Sequence, residues 1–574
     1  MDNNKAKQGT ELYGKPIRSP QILKEMKKGS YIVLILSKHV MAIREQLQEY
    51  GIDEADYYDI YNEFVAYFRI KKFEKDAYDF IDFLERIPDG YFSNIPVKEG
   101  KKIGIVCLGE MVQHITWYAM AQSLVLRYNG YQSTLIIDTL KSFDSYIYFE
   151  GVEAVAKIYI DYIVNILQEK CPDIGVAYID EEKCTDLDDE DLAMSHKFAP
   201  IVVKWLNSRR DEVFLPREAN RILIAENLLN ETMRHIKYFL ENSAYDTINV
   251  YTGIHRHRCV YTYLGKKMGM RVSTYDGDKI GITIYGTTGV STHRQEIATL
   301  INENAFTEQE RKDIATLAKE DFNQRRDSVK GNVGYNFQIV KGGEIERPYD
   351  VVIPLNIFWD SAALGRNNLF ENEIEWLKET LEFLMKNTNA TVMVREHPAQ
   401  YGDREFLYAR CDKELPILLQ YPERIFFADA AAKVNTYQYI EACKLVLPYT
   451  STTGIESVLM GKNVILHTNV YYDDIDIAYK AHSKQDYFDK IQYYLQHSQS
   501  AICQNIENAY MAYYFLRHYD IRTPFTECDQ TKWIGLSVKE ICEMPGVEEI
   551  VGIIAQNEPA VYKNVKRILK ARGF

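Results

Sequence analysis

No pair of cysteines in this chain has the two-residue spacing of a redox or metal motif. The nine cysteines, Cys107 to Cys542, are scattered and odd in number. This usage fits a reducing compartment better than a disulfide framework. Basic residues are also short. With 68 Lys and Arg against 82 Asp and Glu, the formal net charge is −14. A duplex-binding protein needs a basic footprint, so no nucleic-acid partner is expected, although a local basic cleft could still take a small anion. No apolar run is long enough to span a bilayer, and the first residues, MDNNKAKQGTELYGK, lack the apolar core of a signal peptide. A cytoplasmic location is therefore expected, and peripheral contact with the inner membrane face is compatible with it. Residues 29–64 contain no glycine-rich phosphate loop.

What is present is enough apolar material for large cores. The 574 residues are 46% hydrophobic and 26% charged, which suits a globular protein with more than one domain. The 43 tyrosines offer apolar faces with polar tips but specify no ligand. The acidic run EEKCTDLDDEDL, 181–192, reads as a solvated connection.

Apolar periodicity divides the chain into three blocks. GSYIVLIL, 29–36, reads as a strand, 37–52 as the helix after it, and YYDIYNEF, 57–64, as a further strand candidate. A small α/β extension over 1–95 follows from these. KKIGIVCLG, 101–109, opens a second series, with a helix over 113–131 and strands over 132–140, 174–180, 220–227, 247–253 and 270–276. The charged segment 303–347 reads as an irregular crossing. A third series has strands over 349–355, 391–398, 424–430, 444–450 and 462–467, with a helix over 371–387. Strand and helix in alternation predict largely parallel sheets covered on both faces. The expected domains are 96–345 and 346–574, with a helical tail that could pack back on the first. Ligands of such sheets sit beyond the carboxyl ends of the strands.

Several polar clusters fall at those ends. In VREHPAQ, 394–400, Arg395 offers a planar fork for phosphate or carboxylate, and His397 can donate to an oxygen or move a proton near neutrality. In YTSTTGIESVLMGK, 449–462, the hydroxyls of Ser451, Thr452 and Thr453 precede a short helix whose first amides can hold an anion. Gly454 would allow close approach of a ligand to the backbone. Glu456 could accept from sugar or ribose hydroxyls, or else complete the helix cap. In the first domain, His255, Arg256, His257 and Arg258 form a cationic cluster, and its HxH spacing without a carboxylate partner does not define a metal site. Asp276 and Asp278, flanking Gly277, are candidate general bases or turn formers. Glu110 and His114 are further candidates for proton transfer.

Taken together, these residues resemble those of bacterial capsule polysaccharide biosynthesis proteins, a group that includes Kdo-transferase-like enzymes of GT-B architecture. The resemblance spans about residues 101–500. Its second-domain pattern is carried by Arg395, His397 and Pro398, then Ser451, Thr452, Thr453, Glu456, Gly461 and Lys462. Its first-domain pattern is carried by Asp276, Gly277 and the glycine-containing stretch 280–290, with Asp276 where the family more often has Glu. The resemblance implies two Rossmann-like domains in a GT-B-like arrangement. It also implies a nucleotide-sugar donor held by the second-domain residues, and transfer to a glycan acceptor with Asp276, Asp278, Glu110 or His255 in catalysis. A CMP-linked donor is one candidate, no separate cofactor is expected, and no metal is called for. Polyol-phosphate transfer, nucleotide-sugar epimerisation or hydrolysis, and a non-catalytic glycan-binding scaffold remain alternatives.

Overall fold

The computed structural model describes residues 7–12, 14–27, 29–36, 40–110, 115–141, 152–207, 218–278, 281–327, 345, 347–357, 360–397, 415–430, 432, 434–497, 503 and 505–574. His114 and Pro398 lie outside them. By its contacts the chain divides into two units, Met1–Phe73 and Glu74–Phe574.

The first unit holds a short hairpin, β1 (Glu11–Leu12) and β2 (Lys15–Pro16), and a β-α-β element of β3 (Val33–Ile35), α1 (Val40–Glu49) and β4 (Tyr57–Asp59). The two longer strands pair in parallel, Val33 against Tyr57. Leu23, Val33, Ile35, Leu47, Ile52 and Tyr57 form its core. The predicted strand over 57–64 stops at Asp59, and α2 (Tyr61–Glu85) begins two residues later.

The second unit is built on two sheets. In the first lobe they are β5 (Ile103–Leu108), α3 (Ile115–Tyr128), β6 (Ser133–Asp138), α4 (Val152–Lys170), β7 (Gly175–Tyr178), α5 (Asp189–Asn207), α6 (Glu218–Glu241), β8 (Thr247–Tyr251), α7 (Arg258–Lys267), β9 (Arg271–Gly277) and β10 (Ile282–Gly286). After α8 (Glu296–Asn302) and α9 (Glu308–Asp327) come the second lobe's β11 (Val351–Pro354), α10 (Glu373–Asn387), β12 (Val392–Arg395), α11 (Ile417–Gln420), β13 (Ile425–Ala428), α12 (Thr436–Ala442), β14 (Leu445–Val446), α13 (Thr453–Leu459), β15 (Asn463–Leu466) and β16 (Tyr479–Lys480). The tail adds α14 (Lys484–Gln496), α15 (Ile506–Arg517), β17 (Ile521–Arg522), α16 (Val538–Cys542), α17 (Val547–Val551) and α18 (Ala560–Arg572).

The first sheet runs β17-β10-β9-β8-β5-β6-β7, and the second runs β13-β12-β11-β14-β15-β16. All pairings in the second are parallel. In the first, β10 and β17 are antiparallel additions at one edge. Fully buried runs such as Ile103–Leu108 and Val351–Pro354 are what strands covered on both faces require. This is a GT-B-like arrangement of two Rossmann-like lobes. The strand β17 and the segment around Trp533 and Ile553 join the first lobe: Arg271 donates from Nη1 to Ile553 O at 2.9 Å, and Trp533 packs edge-on against Phe80. The last helix, α18, instead buries Val561, Val565 and Leu569 in a core shared with Val352 and Met393 of the second lobe.

Three sequence expectations are corrected here. The predicted strand over 220–227 lies inside the helix α6. Its apolar triplet looked extended, but Ala225, Leu229, Met233, Ile236 and Leu240 are buried at steps of three and four, the period of a helix face. The crossing 303–347 contains the 20-residue helix α9, which buries Ile314, Leu317, Ala318 and Phe322. The acidic run 181–192 is not merely solvated. Asp191 is fully buried and receives Lys237 Nζ at 2.7 Å, while Lys267 Nζ reaches Asp188 Oδ2 at 2.7 Å and Asp191 Oδ1 at 2.7 Å. These cations hold the Asp191 carboxyl far below its ordinary range despite the burial that opposes them. Among the described residues no helix is long and apolar enough to cross a membrane.

Candidate active site at the strand ends

In the first lobe the carboxyl ends of β5, β6, β8 and β9 deliver Glu110, Asp138, the loop 252–258 and Asp276 to one edge. The loop turns sharply. Thr252, Gly253 and Arg256 all have positive φ, at 53°, 73° and 57°. At Gly253 a Cβ would sit 2.7 Å from Thr274 Cγ2, so only glycine fits there.

This turn aims both arginines inward. Arg256 and Arg258 each donate to Glu110, and all three side chains are buried. Burial alone would raise the Glu110 carboxyl, but the two guanidiniums prevail and hold it down at about 2. Glu110 is thus an ion-pair centre, unsuited to accept a proton near neutrality. Beside it, His257 Nε2 lies 2.9 Å from Asp138 Oδ2, and Tyr261 donates its hydroxyl to the same oxygen at 2.6 Å. His255 is buried within the loop and is not presented at an open edge.

Asp276 is different. Its residue surface is only half-buried, yet its carboxyl is densely surrounded by protein atoms. That burial, with the nearby negative charge of Asp360, pushes it up to about 7, against the opposing pull of Arg258. Ser361 Oγ lies 3.4 Å from Asp276 Oδ2. Asp360 and Ser361 belong to the second-lobe segment after β11, so this carboxyl sits where the two lobes meet. The same segment seats Leu364 against Ile201 and Ile254, and Arg366 donates to the carbonyl of His293. Asp278 shapes the hairpin instead: its amide donates to Ile282 O at 2.9 Å, and its Oδ1 accepts from Ile282 N at 3.1 Å.

Sequence reasoning missed a second carboxyl here. Glu527, from the tail after β17, is fully buried against Gly277, where any Cβ would overlap its carboxylate. Burial first, and the Asp276 charge second, push it up to about 8. No local pattern in TPFTECDQ marks it. Its position depends on β17 pairing with β10, Ile282 against Arg522.

In the second lobe Arg395 ends β12. Its Nη1 donates to the carbonyls of Ala428 and Asp429, while its buried Nε has no hydrogen-bond partner among the described residues. His397 is half-buried two residues on. The turn after β14 is largely self-satisfied. Thr453 N donates to Ser451 Oγ at 3.2 Å, Gly454 N to Ser451 O at 3.0 Å, and Ser451 Oγ to Thr453 Oγ1 at 3.0 Å. Thr452 is half-buried at the start of α13. Two amides expected to hold an anion are thus occupied in this state, leaving the side-chain hydroxyls as the adaptable groups. At Gly454 the space a ligand was expected to fill is taken by the Tyr472 ring and hydroxyl, and that hydroxyl donates to Ser451 O at 2.7 Å. Glu456 is buried and paired with Arg325 of α9 at 3.3 Å, so the structure gives its carboxylate an internal partner instead of an open face. Among the described residues no group of three or more His, Cys, Asp or Glu side chains is placed to hold a metal ion.

Comparison with known proteins returns one sequence family. Residues 290–516 match the family described as capsule polysaccharide biosynthesis protein, a span that includes Arg395, His397 and the turn 451–456. The chain resembles that family over this span. No curated protein matches it. Solved structures with a similar fold include KpsC from Thermosulfurimonas dismutans, described as a beta Kdo 2,7 transferase, at 13% identity and a TM-score of 0.30, covering 56% of this chain and 87% of that one. A beta Kdo 2,4 transferase structure of KpsC from the same organism is 12% identical, with a TM-score of 0.32 and coverage of 47% and 79%. A UDP-GlcNAc 2-epimerase from Neisseria meningitidis is 10% identical, with a TM-score of 0.22 and coverage of 72% and 98%.

Proposed function

We propose that this chain is a glycosyltransferase that moves a sugar from a nucleotide-activated donor to a glycan of the cell surface, without a metal. The observation that carries this reading is Asp276. It is a carboxyl raised to about 7 at the strand ends of one lobe, touched by the second-lobe segment after β11. A base with affinity for a proton near neutrality, placed where two Rossmann-like lobes meet, suits activation of an acceptor hydroxyl. The family match over 290–516 supports the choice of substrate class.

In an inverting transfer, Asp276 takes the acceptor's hydroxyl proton as that oxygen bonds to the anomeric carbon. The bond from that carbon to the donor phosphate oxygen breaks, and the nucleotide departs with its electron pair. Arg395 and His397, with the hydroxyls of Ser451 and Thr453, stabilise the departing phosphate. Fixed donors of this kind are worth several kcal/mol to a transition state (about 3 kcal/mol each). Glu110, Asp278 and His255 serve the loop structure in this reading.

Calorimetric titration with CMP, CDP, UMP, UDP and GDP tests it. One nucleotide is expected to bind selectively, and His397→Ala and Ser451→Ala are each expected to weaken it about tenfold, or about 1.4 kcal/mol. Selective CMP binding would favour a CMP-linked donor. Absence of binding to every nucleotide, across several salt and pH conditions, would remove the donor-site reading and favour the scaffold alternative.

A further inference from the structure

Arg366, on the second-lobe segment after β11, is a buried cation without an acid of its own. It is 4% exposed, and among the described residues no carboxylate forms an ion pair with it. Asp473 acts on it from beyond ion-pair range, being itself paired with Lys480 at 2.7 Å. Burial and the neighbouring Arg294 charge lower the guanidinium to about 10. Its partners are instead two carbonyls from different lobes. Nη1 donates to Asn469 O, in the loop after β15, at 2.6 Å, and Nη2 donates to His293 O. His293 ends the turn Ser291–His293, which is held on β9 by Ser291 N donating to Thr274 Oγ1 at 2.7 Å.

The contact is returned. The His293 ring donates from Nε2 to Leu364 O at 3.1 Å, and burial with the Arg366 charge keeps that ring neutral. Leu364 fills a slot against Ile201 of α5 and Ile254 of the loop 252–258. Gly365 follows at a φ of 71°, and a Cβ there would crowd Ile254 Cδ1 at 3.3 Å. The segment braces itself: Asp360 Oδ1 accepts from Ala362 N at 2.9 Å, and Asp360 O accepts from Leu364 N at 3.0 Å. Its other end is zipped to the loop after β15, where Arg366 O accepts from Asn469 N at 3.0 Å and Asn367 bridges Thr468. Residues 360–367 thus form a strap that starts on the second lobe and docks on the first. It carries Ser361, whose Oγ donates to Asp276 Oδ2 at 3.4 Å.

Burying a guanidinium with no acid beside it costs stability, and an apolar side chain of similar length would avoid that cost. A planar fork that reaches two carbonyls at once gives direction instead, and a lysine ammonium does not reproduce it. We propose that Arg366 is a positioning residue for Asp276: it fastens the strap 360–367 to the turn Ser291–His293 and so sets Asp360 and Ser361 against the end of β9. The second lobe then completes the acid–base edge of the first. Loosening the strap takes away the Asp360 charge and part of the burial that raise the Asp276 carboxyl. Arg258 stays with Glu110, and Tyr251, Glu527 and Cys528, the other titratable groups about Asp276, lie outside the strap. The use of Asp276 to receive an acceptor proton rests on the transferase reading, whereas its placement by Arg366 does not.

A double-variant cycle across pH, on the full chain with no donor or acceptor present, tests the strap itself. Denaturant titration follows unfolding free energy from about pH 4 to about pH 7, the range over which the raised Asp276 carboxyl makes stability fall. The Asp276 share of that fall is the difference between chains with and without Asp276→Asn. Taking this difference cancels changes at Asp473 and His293, which both feel the Arg366 charge. In Arg366→Met the share is expected to shrink by the equivalent of about one pKa unit, a tenfold loss of proton affinity at Asp276. A merely structural role would lower stability alike at every pH and leave the share as in the wild type, and that result would overturn the proposal. If Arg366→Met fails to fold, as judged by thermal melting, Leu364→Ala, which empties the slot against Ile201 and Ile254, decides by the same share. Nucleotide titration reports on the transferase reading and the pH cycle on the strap, so either can fail without the other.

Discussion

Three carboxyls at the first-lobe edge have similar chemistry and opposite fates. Glu110 lies between two guanidiniums and is held at about 2, whereas Asp276 and Glu527 lack a cation of their own and rise to about 7 and about 8. The signs follow for stability. A carboxyl raised on folding contributes stability below its unfolded value and loses it as pH rises through the folded value. For Asp276, the loss runs from about pH 4 to about pH 7. Glu110 is opposite: its contribution is present above about 4.5 and is lost as pH falls through about 2. Asp276→Asn should therefore flatten the fall of unfolding free energy between about pH 4 and about pH 7, by at most about 1.4 kcal/mol per pH unit. Denaturant titrations at several pH values measure it, and an unchanged slope would place the Asp276 carboxyl in contact with bulk water. Glu110→Ala should instead cost about 3–5 kcal/mol at neutral pH, because it strands two buried guanidiniums.

At the scale of elements, the turn after β14 and the helix α9 are locked by partners that no local pattern names. Gly454→Ala should cost about 1–3 kcal/mol, because a methyl there overlaps the Tyr472 ring and hydroxyl. Trimming the hydroxyl with Tyr472→Phe should recover part of that loss in the double variant. Equal melting temperatures for wild type and Gly454→Ala would show that the turn yields freely. The Arg325–Glu456 pair fixes α9 against α13. Arg325→Ala leaves Glu456 buried without its cation and should lower stability by about 3 kcal/mol in denaturant unfolding. A change below 0.5 kcal/mol, about what an exposed pair contributes, would show that water reaches Glu456.

Across the whole molecule, the tail segment from β17 to Trp533 is part of the first lobe. Trp533 is fully buried, donates from Nε1 to Thr526 O at 3.0 Å, and meets Phe525, Phe80 and Phe83 edge-on. Trp533→Ala should cost about 3–5 kcal/mol. Because the same segment carries Glu527, which lies against Gly277, the variant should also disturb the end of β9 while leaving Arg395 and His397 of the second lobe in place. Native-state hydrogen exchange would register this as faster exchange in β9 and β10 than in β11 and β12. Equal acceleration in both sheets would mean that the lobes unfold as one.

The sequence alone determined the elements whose signal is local. Uninterrupted apolar runs such as IGIVCL and VVIP must be buried on both faces, so their alternation with helices implied two parallel sheets. It also put Arg395, His397, the turn 451–456 and Asp276 at the carboxyl ends of strands. Where the local signal was ambiguous, a short apolar run gave no period, and the start of α6 read as a strand. Only the tertiary structure decided which polar groups already have partners. It gave Arg256 and Arg258 to Glu110, Arg325 to Glu456, Tyr472 to the space above Gly454, and Glu527 to the side of Asp276. Cys528 and Gly277, which tie that last contact, are 251 positions apart. Hydrophobic periodicity is written within a few turns of chain. The charge state of a carboxyl depends on whatever the completed fold packs around it, and sequence spacing carries no record of that.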